Sequence, residues 1–267
     1  MLDFSLNRRI AISRGFGLVL NKDGSQTFVG HCSDMPQLHS NERIIKVVAA
    51  FEGYMGLTED GHIVTCGPAR EFERCHQIES LAGIKDIAAS EGHTVAITQR
   101  GDVLSIDEPG GWEGVPNHSQ IAQNWHLIKQ VAVGYANIMG LTIDGRVLYH
   151  SEDESTDCHF YEKYKNVVQV DCYSHYYGTD SSAILLADGT VVSDTFKGVK
   201  KWRNIVCISV GADVIIGLKR DGTIEMIDNR NKRYQAKEWS NLEAVCCKFF
   251  GVIGITRDGE ILSIFNQ

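Results

Sequence analysis

Cysteine is the most reactive residue type in this sequence, which contains eight of them. No two are spaced as C-x-x-C, so the spacing of a zinc ribbon or a thioredoxin-like redox site is absent. Cys32, Cys75 and Cys158 recur at one position of an internal repeat, about one repeat apart. That separation exceeds the short Cα distance that a disulfide needs. The sequence therefore predicts eight free thiols, most of them buried as small apolar side chains.

An acidic loop from His150 to His159 contains side chains that bind divalent cations, since it reads HSEDESTDCH. Its spacing matches neither a calcium loop nor a zinc site, so we interpret it as a solvated loop and expect no metal or cofactor. G-x-S-x-G, H-E-x-x-H and phosphate-loop motifs are also missing. The chain is therefore predicted not to be an enzyme, although a triad assembled in space stays open.

Aromatic residues are the group that points to function, because such side chains dominate binding hot spots. Rings recur shortly after the first predicted strand of several repeats, and the fifth repeat has about five extra residues there. Two interpretations stay open: a rim that binds a protein partner, or rings that fill gaps between repeats. The candidate partner-binding residues are Phe16, Phe51, Tyr54, Tyr135, Tyr173, Tyr176 and Phe250, with Trp112 from the longest loop between repeats.

The element that must position these residues is a repeat of about 39 residues, counted from seven glycines. Six of the glycines follow Asp, an aliphatic residue stands four positions before each, and Ile or Val stands two positions after six of them. Alternating apolar residues on both sides of an Asp-Gly pair predict a β-hairpin with a type I′ turn. Gln26 is the exception to the apolar pattern after the turn. The glycines are Gly24, Gly61, Gly101, Gly145, Gly189, Gly222 and Gly259.

A large apolar residue, here named the anchor, precedes each hairpin and is followed six residues later by another apolar strand. Four short strands in each of seven repeats, without a helical pattern, predict an all-β fold. Residues 1–267 would form a single seven-bladed β-propeller that is closed by pairing of its N- and C-terminal segments. Phe4 and Leu6 are expected to pack near Gly259 to Phe265. The anchors are Phe4, Leu38, Leu81, Trp125, Tyr164, Trp202 and Trp239.

The repeat resembles the regulator-of-chromosome-condensation (RCC) type of propeller repeat, in its divergent bacterial-type branch. Trp202 to Glu225 carries the resemblance best, reading WRNIVCISVGADVIIGLKRDGTIE, and Ile87 to Ile106 is similar. The resemblance covers the whole chain and implies a rigid disc that presents loops to a partner. Guanine-nucleotide exchange factors occur in this family, so exchange-factor activity is one alternative function. The family's His-Thr pair is found here only at His93-Thr94.

Charge and composition limit the remaining function classes. The formal net charge is −8, so bulk attraction to nucleic acid is not expected. The first residues do not resemble a signal peptide, and no long apolar run predicts a membrane helix. We therefore expect a cytoplasmic monomer that binds a protein partner through one face, without enzymatic activity. Binding of a small molecule in the central channel is the other alternative.

Overall fold

The computed structural model describes residues 6–13, 16–30, 37–49, 53–66, 78–90, 93–107, 121–153, 155–174, 180–234, 238–248 and 251–265. Their strands form seven antiparallel sheets of three strands each, paired in chain order. Each sheet is one blade, so the predicted all-β, seven-bladed propeller is confirmed. Within the described part of the chain, no helix is long and apolar enough to cross a membrane.

Each blade has an inner, a middle and an outer strand. A 3-10 helix (Leu6–Arg9) precedes the first blade, and another (Lys197–Lys201) lies between the fifth and sixth. In chain order, the strands are β1 (Ile10–Ser13), β2 (Phe16–Leu20) and β3 (Gln26–Gly30); β4 (Ile44–Ala49), β5 (Tyr54–Thr58) and β6 (Ile63–Cys66); β7 (Ile84–Ala89), β8 (His93–Thr98) and β9 (Val103–Asp107); β10 (Ile128–Val133), β11 (Asn137–Thr142) and β12 (Val147–Ser151); β13 (Val167–Tyr173), β14 (Ser181–Leu186) and β15 (Val191–Val192); β16 (Ile205–Val210), β17 (Val214–Lys219) and β18 (Ile224–Asp228); β19 (Leu242–Lys248), β20 (Gly251–Thr256) and β21 (Ile261–Phe265).

The inner strands close the ring around a central channel. They contact one another in the order β1, β4, β7, β10, β13, β16 and β19, and β19 contacts β1 again. In six of the seven inner strands, an apolar side chain at the fourth position is buried between blades, as at Val47, Ile87 and Val245. This packing between neighbouring sheets is the core of the molecule.

The predicted fourth strand of each repeat differs from the structure. Between β12 and β13 the described residues form turns, and between β15 and β16 they form the 3-10 helix Lys197–Lys201. In the sixth blade, a single bridge between Ile227 and Arg233 occupies this place. These stretches satisfy their backbone groups locally, so the described blades end at the third strand. The corresponding stretches of the first three repeats lie mostly outside the described residues.

The repeated glycines build the turns between middle and outer strands. All seven have a φ between 81° and 89°, in the left-handed region that favours glycine. The preceding Asp residues do not share this conformation, so the predicted type I′ turn is wrong. In the second blade, Gly61 N donates to Thr58 O and Thr58 N donates to His62 O. That pattern is a tight turn followed by a left-handed bulge residue, the usual three-residue hairpin loop.

The same glycines also join neighbouring blades. Gly61 O accepts a hydrogen bond from the backbone N–H of Ile84, the first residue of the next inner strand, at 3.0 Å. The bond recurs at the next four junctions, from Ile128, Val167, Ile205 and Leu242 to Gly101, Gly145, Gly189 and Gly222. Each of these five glycines therefore has two roles. Its backbone conformation forms the turn within its own blade, and its carbonyl group bonds to the next blade.

Tryptophan anchors pack against a second set of glycines in the middle strands. An added Cβ on Gly217 would lie 2.8 Å from Trp202 Cζ3, and one on Gly140 would lie 2.7 Å from Trp125 Cε3. Gly254 stands in the same relation to Trp239. An indole ring can lie flat on the strand only where no side chain projects, which explains why glycine precedes the aliphatic residue in these repeats.

Side chains hold the two junctions of the first blade. Gln26 Nε2 donates to Leu38 O and Leu38 N donates to Gln26 Oε1, so the residue that broke the apolar pattern joins the first blade to the second. Toward the seventh blade, Glu243 pairs with Arg9 at 2.6 Å and with Lys22 at 2.9 Å.

The predicted closure by pairing of the terminal segments involves residues 1–5, which lie outside the described residues. Among the described strands, the first and last blades share no sheet. The 3-10 helix before β1 contacts β19, and Val245 N donates to Asn7 Oδ1. The expected packing of Phe4 and of the Leu6 side chain lies outside the described residues.

Candidate functional site

The propeller has two faces with different chemistry. The loop face carries the connections between inner and middle strands, and the turn face carries the glycine turns. The described candidates, Phe16, Tyr54, Tyr135 and Tyr173, belong to the loop face, because each ends an inner strand or follows one. The other candidates, Phe51, Tyr176, Phe250 and Trp112, lie outside the described residues.

Tyr54 and Tyr173 are buried between blades. Tyr54 is fully buried in the cluster between the first two blades, where its ring meets Phe16 edge-on at 5.9 Å and Phe28 at 6.1 Å. Tyr173 is 6% exposed and belongs to the cluster shared with the sixth blade. Both occupy the positions expected of rings that fill gaps, so neither offers a free ring face to a partner in this structure.

Phe16 and Tyr135 are partly exposed residues, unlike Tyr54 and Tyr173. The Tyr135 loop is attached on both sides. Ser90 Oγ from the third blade donates to Gly134 O at 2.8 Å, and Ala136 N donates to Ser174 Oγ from the fifth blade. Tyr135 N donates to Ser174 O at 3.3 Å. This ring therefore stands on a loop that two neighbouring blades hold in place.

The central channel encloses about 410 Å³ and is lined by all seven inner strands. Alanine and valine side chains form much of its wall, and two groups of charged residues interrupt them. The first group pairs Lys248 of the seventh blade with Asp171 of the fifth blade, at 2.8 Å. Asp171 Oδ2 also accepts from Val210 N, and its Oδ1 accepts from Cys172 N. Although burial acts to lower it, Asp171 raises the pKa of Lys248, as expected for a complete ion pair.

The second charged group consists of Arg8, Lys46 and Asp86, from the first three blades. Lys46 Nζ donates to Asp86 Oδ1 at 2.7 Å, and Arg8 Nη2 lies 3.7 Å from the same oxygen. The Asp86 side chain is 1% exposed, and its Oδ2 accepts no hydrogen bond from a described residue. Burial lowers the pKa of Lys46, although Asp86 opposes the shift.

Sequence reasoning missed both charged groups, and a signal for them exists. Asp86, Asp171 and Lys46 are charged residues within inner strands that are otherwise largely apolar. Charged residues in a strand that is buried on both sides need a partner or a ligand. Comparing the seven inner strands at the same register would have singled them out.

A polar cluster lies between the fourth and fifth blades. Asp180, 9% exposed, accepts a hydrogen bond from Ser151 Oγ. The hydroxyl oxygens of Tyr161 and Ser182 lie 2.9 Å apart, and each also lies within hydrogen-bond distance of Asp194 Oδ1, so the two hydroxyl protons are shared among these three contacts. Burial raises the pKa of Asp180 to about 6, although the Ser151 hydroxyl acts in the opposite direction.

Asp180→Asn is expected to stabilise the protein at pH 7.5 by about 1 to 2 kcal/mol and to have no stabilising effect at pH 4. Because the folded state raises the carboxyl pKa, ionised Asp180 is a cost above pH 6 that disappears as the pH falls. Urea unfolding at both pH values measures the difference. Asp221→Asn is the control: hydrogen bonds from Thr223 lower the pKa of Asp221, so its contribution is present at neutral pH and lost in acid. Equal effects of Asp180→Asn at both pH values would contradict the assignment.

The cysteines and the acidic loop show no ligand geometry in the described part of the chain. The six described cysteines, Cys66, Cys158, Cys172, Cys207, Cys246 and Cys247, are free, and Cys32 and Cys75 lie outside it. Burial raises the pKa of Cys246 to about 11, which keeps this thiol protonated at neutral pH. Across the described ranges, no group of three metal-ligating side chains is present. In the acidic loop, Asp153 accepts from Ser155, and His159 pairs with Glu162.

On the turn face, the fourth blade departs from the others. Leu127 and Ile143 are 55% and 58% exposed and adjacent, because Ile143 N donates to Leu127 O. Leu127 has a φ of 56°, whereas the same position in other repeats holds Gly83, Asn166, Asn204 or Asn241. At the position of Ile143, Arg220 and Arg257 make the equivalent backbone bond.

Leu127→Asn is expected to stabilise the protein by about 1 kcal/mol, because asparagine tolerates the left-handed conformation better than leucine. Chemical denaturation measures the change. The reverse substitution Asn204→Leu, at a φ of 60°, is the matched control and should destabilise by a similar amount. A loss of stability in Leu127→Asn would mean that packing of the leucine outweighs its strain.

Comparisons with known proteins agree on the fold alone. No family model matches the sequence, and no curated protein matches it. The CRINKLY WD40 ectodomain of the Arabidopsis thaliana receptor kinase ACR4 is 12% identical over 96% of this chain and 94% of that chain, with a TM-score of 0.68. The ectodomain of the Physcomitrella patens receptor kinase CR4 is 13% identical over 96% and 72%, with a TM-score of 0.65. Human WBSCR16 is 13% identical over 91% and 85%, with a TM-score of 0.63. At such identities these proteins share the architecture of this chain, a β-propeller.

Proposed function

We propose that this propeller is a non-enzymatic module that binds a protein partner through its loop face. The observation that carries the proposal is Tyr135, a partly exposed residue on a loop that Ser90 bonds to the third blade and Ser174 bonds to the fifth. A ring that is already fixed loses little entropy on binding. Tyrosine in addition offers a large apolar area with a polar tip.

The other rim residues take two roles in this proposal. Phe16 contributes a second partly exposed aromatic residue, and Tyr54 supports it from below, since the Tyr54 hydroxyl lies 3.4 Å from Phe16 O. Phe51, Tyr176 and Phe250 follow other inner strands in the sequence, and with Trp112 from the longest loop between repeats they complete the proposed partner-binding set. The proposal also includes RCC-type repeats, on the strength of Trp202 to Glu225 and Ile87 to Ile106.

Tyr135→Ala is expected to weaken partner binding by about 2 kcal/mol, as truncation of a hot-spot ring does. Partners captured by the wild-type chain from the native host would be identified by mass spectrometry, and their affinities for the variants then measured. Leu127→Ala is the control, because Leu127 is an exposed apolar side chain on the turn face. It should retain full affinity.

Ile143→Arg tests the competing surface on the turn face. It places the side chain of Arg220 and Arg257 at the equivalent position of the fourth blade, so folding should tolerate it. Loss of partner binding in Ile143→Arg with full binding in Tyr135→Ala would place the interface on the turn face and overturn the proposal. A lowered melting temperature with unchanged affinity in Tyr135→Ala would likewise make this ring a packing residue.

A further inference from the structure

Positive charge is concentrated at the outer edge of the sixth blade. Residues 197–233 contain nine lysine or arginine residues and four aspartate or glutamate residues, so this segment carries +5 and the rest of the chain −13, for a net charge of −8. Six exposed cations, here named the basic edge, form two groups on segments that contact each other. They are Lys197, Lys200 and Lys201 of the 3-10 helix, and Arg230, Lys232 and Arg233 of the turn that follows β18.

The two segments of the basic edge are fixed to each other and to the core. Gly198 N donates to Asn231 Oδ1 at 2.7 Å, which joins the 3-10 helix to the turn after β18. Val199 of the helix is fully buried in the cluster shared by the fifth and sixth blades. Asp228 holds the turn, because its Oδ1 accepts from two backbone N–H groups there. The backbone that carries the six cations is therefore in place before any partner binds, which lowers the entropy cost of binding.

No carboxylate neutralises the basic edge directly. Lys219 of the same blade pairs with Glu225 at 2.8 Å, whereas no described carboxylate lies within ion-pair distance of any of the six side chains. Lys197 Nζ donates instead to the backbone carbonyl of Asp194. Residues 235–237, which follow the turn, add no negative charge. Like charges that are held together repel one another, so the basic edge attracts an anionic partner.

Two features favour an acidic polypeptide over nucleic acid as this partner. A nucleic-acid strand that continues past the basic edge meets a chain that carries −13 elsewhere, whereas a short acidic segment can end there. Single strands are also bound by stacking of bases on free aromatic rings. Tyr234 is the exposed ring beside the basic edge, but Lys232 Nζ lies 5.3 Å from the centre of this ring and the Tyr234 hydroxyl donates to Asp228.

We propose that the basic edge binds an acidic segment of a partner protein, whose carboxylates would lie on both groups of cations. Lysine suits such a partner, because its ammonium group is a point charge on a flexible stem and can follow carboxylates at variable positions. This surface is separate from the Tyr135 loop, and the inference does not depend on the partner proposed for that loop.

The test uses labelled probes of defined charge. Fluorescence anisotropy of a fluorescein-labelled peptide of ten glutamates, titrated with the full chain in low-salt buffer, should show saturable binding. The same peptide made of ten glutamines should not bind, and a labelled strand of ten thymidines should bind more weakly than the glutamate peptide. Absence of saturable binding to the glutamate peptide, equal binding of the glutamine peptide, or tighter binding of the thymidine strand would each overturn the proposal.

Two combined variants locate the site. Lys197→Gln, Lys200→Gln and Lys201→Gln together should weaken binding of the glutamate peptide by about tenfold, as expected for the loss of three exposed charge pairs. Arg230→Gln with Lys232→Gln should weaken it by about fivefold, because the second group contributes fewer of the lost pairs. Wild-type affinity in either folded variant would contradict the assigned site.

A control variant separates the basic edge from overall charge. Arg146→Gln, Lys163→Gln and Lys165→Gln together change the net charge by the same amount as the lysine variant, at exposed positions between β11 and β13. This variant should bind the glutamate peptide as the wild type does. A loss of affinity as large as that of the lysine variant would show that binding follows net charge alone, and the proposal would then be wrong.

Discussion

Gly61→Ala is expected to lower the free energy of unfolding by about 3 kcal/mol or more, whereas Gly24→Ala should cost only about 1 kcal/mol. Both residues have left-handed backbone, with φ of 84° and 87°. An added Cβ on Gly61 would lie 2.7 Å from the carbonyl oxygen of Ile84 in the next blade, whereas one on Gly24 would meet no atom within 4 Å. The difference therefore isolates the contact between blades from the strain of the turn.

Urea unfolding of the two variants measures this difference directly. Gly259→Ala provides a second control, because its φ is 89° and its added Cβ is also unobstructed. All three alanine variants carry the same backbone strain and the same loss of flexibility in the unfolded chain. Equal destabilisation of the three would show that the junction tolerates a methyl group, contrary to the packing described above.

Trp202→Leu is expected to cost about 3 kcal/mol and Gly217→Ala about 2 kcal/mol, yet the double variant should lose clearly less than their sum. Trp202 is 1% exposed and lies on Gly217, so either change alone leaves a cavity or a clash. Together they reproduce the third blade, where Leu81 and Ala96 occupy these two positions in one cluster. The indole N–H makes no hydrogen bond within the described residues, so the cost of Trp202→Leu is one of packing.

A double-mutant cycle by chemical denaturation gives the coupling. An interaction of more than about 1 kcal/mol between the two substitutions is expected for side chains in direct contact. Gly217→Ala combined with Trp239→Leu in the next blade is the control pair and should be additive, because Trp239 packs on Gly254 instead. Additivity of the first pair would contradict the claim that the anchor ring requires glycine.

The sequence was sufficient to predict a propeller of seven blades, but not the contacts that join neighbouring blades. Spacing of the glycines identified seven hairpins, because each turn needs a left-handed residue at a fixed distance from apolar neighbours. It could not distinguish a type I′ turn from a bulged one, since both place glycine in the same conformation. The fourth strand was overpredicted for a related reason. Residues 193–204 are long enough for a strand, but they satisfy their backbone in a 3-10 helix.

The sequence could not show which of the candidate aromatic residues are buried. Aromatic residues after an inner strand look alike in sequence, yet Tyr54 is fully buried while Tyr135 is partly exposed. The difference depends on how the neighbouring blade packs against each tyrosine side chain. Such packing exists only in the assembled propeller and cannot be read from one repeat. The proximity of Asp86 and Arg8 could not be predicted either, because it arises where three blades meet and no local motif indicates it.

The junctions of the first blade also give the ring a weak point. Five junctions are joined by backbone hydrogen bonds from a glycine carbonyl, which added electrolyte hardly affects. At the junction of the first and seventh blades, ion pairs stand in place of these hydrogen bonds, because Glu243 pairs with both Arg9 and Lys22. Dissolved ions screen such pairs, most strongly at the exposed Lys22. We therefore expect high ionic strength to weaken this junction more than the five junctions that use backbone hydrogen bonds, and amide hydrogen exchange of β1–β3 at low and high salt measures the difference.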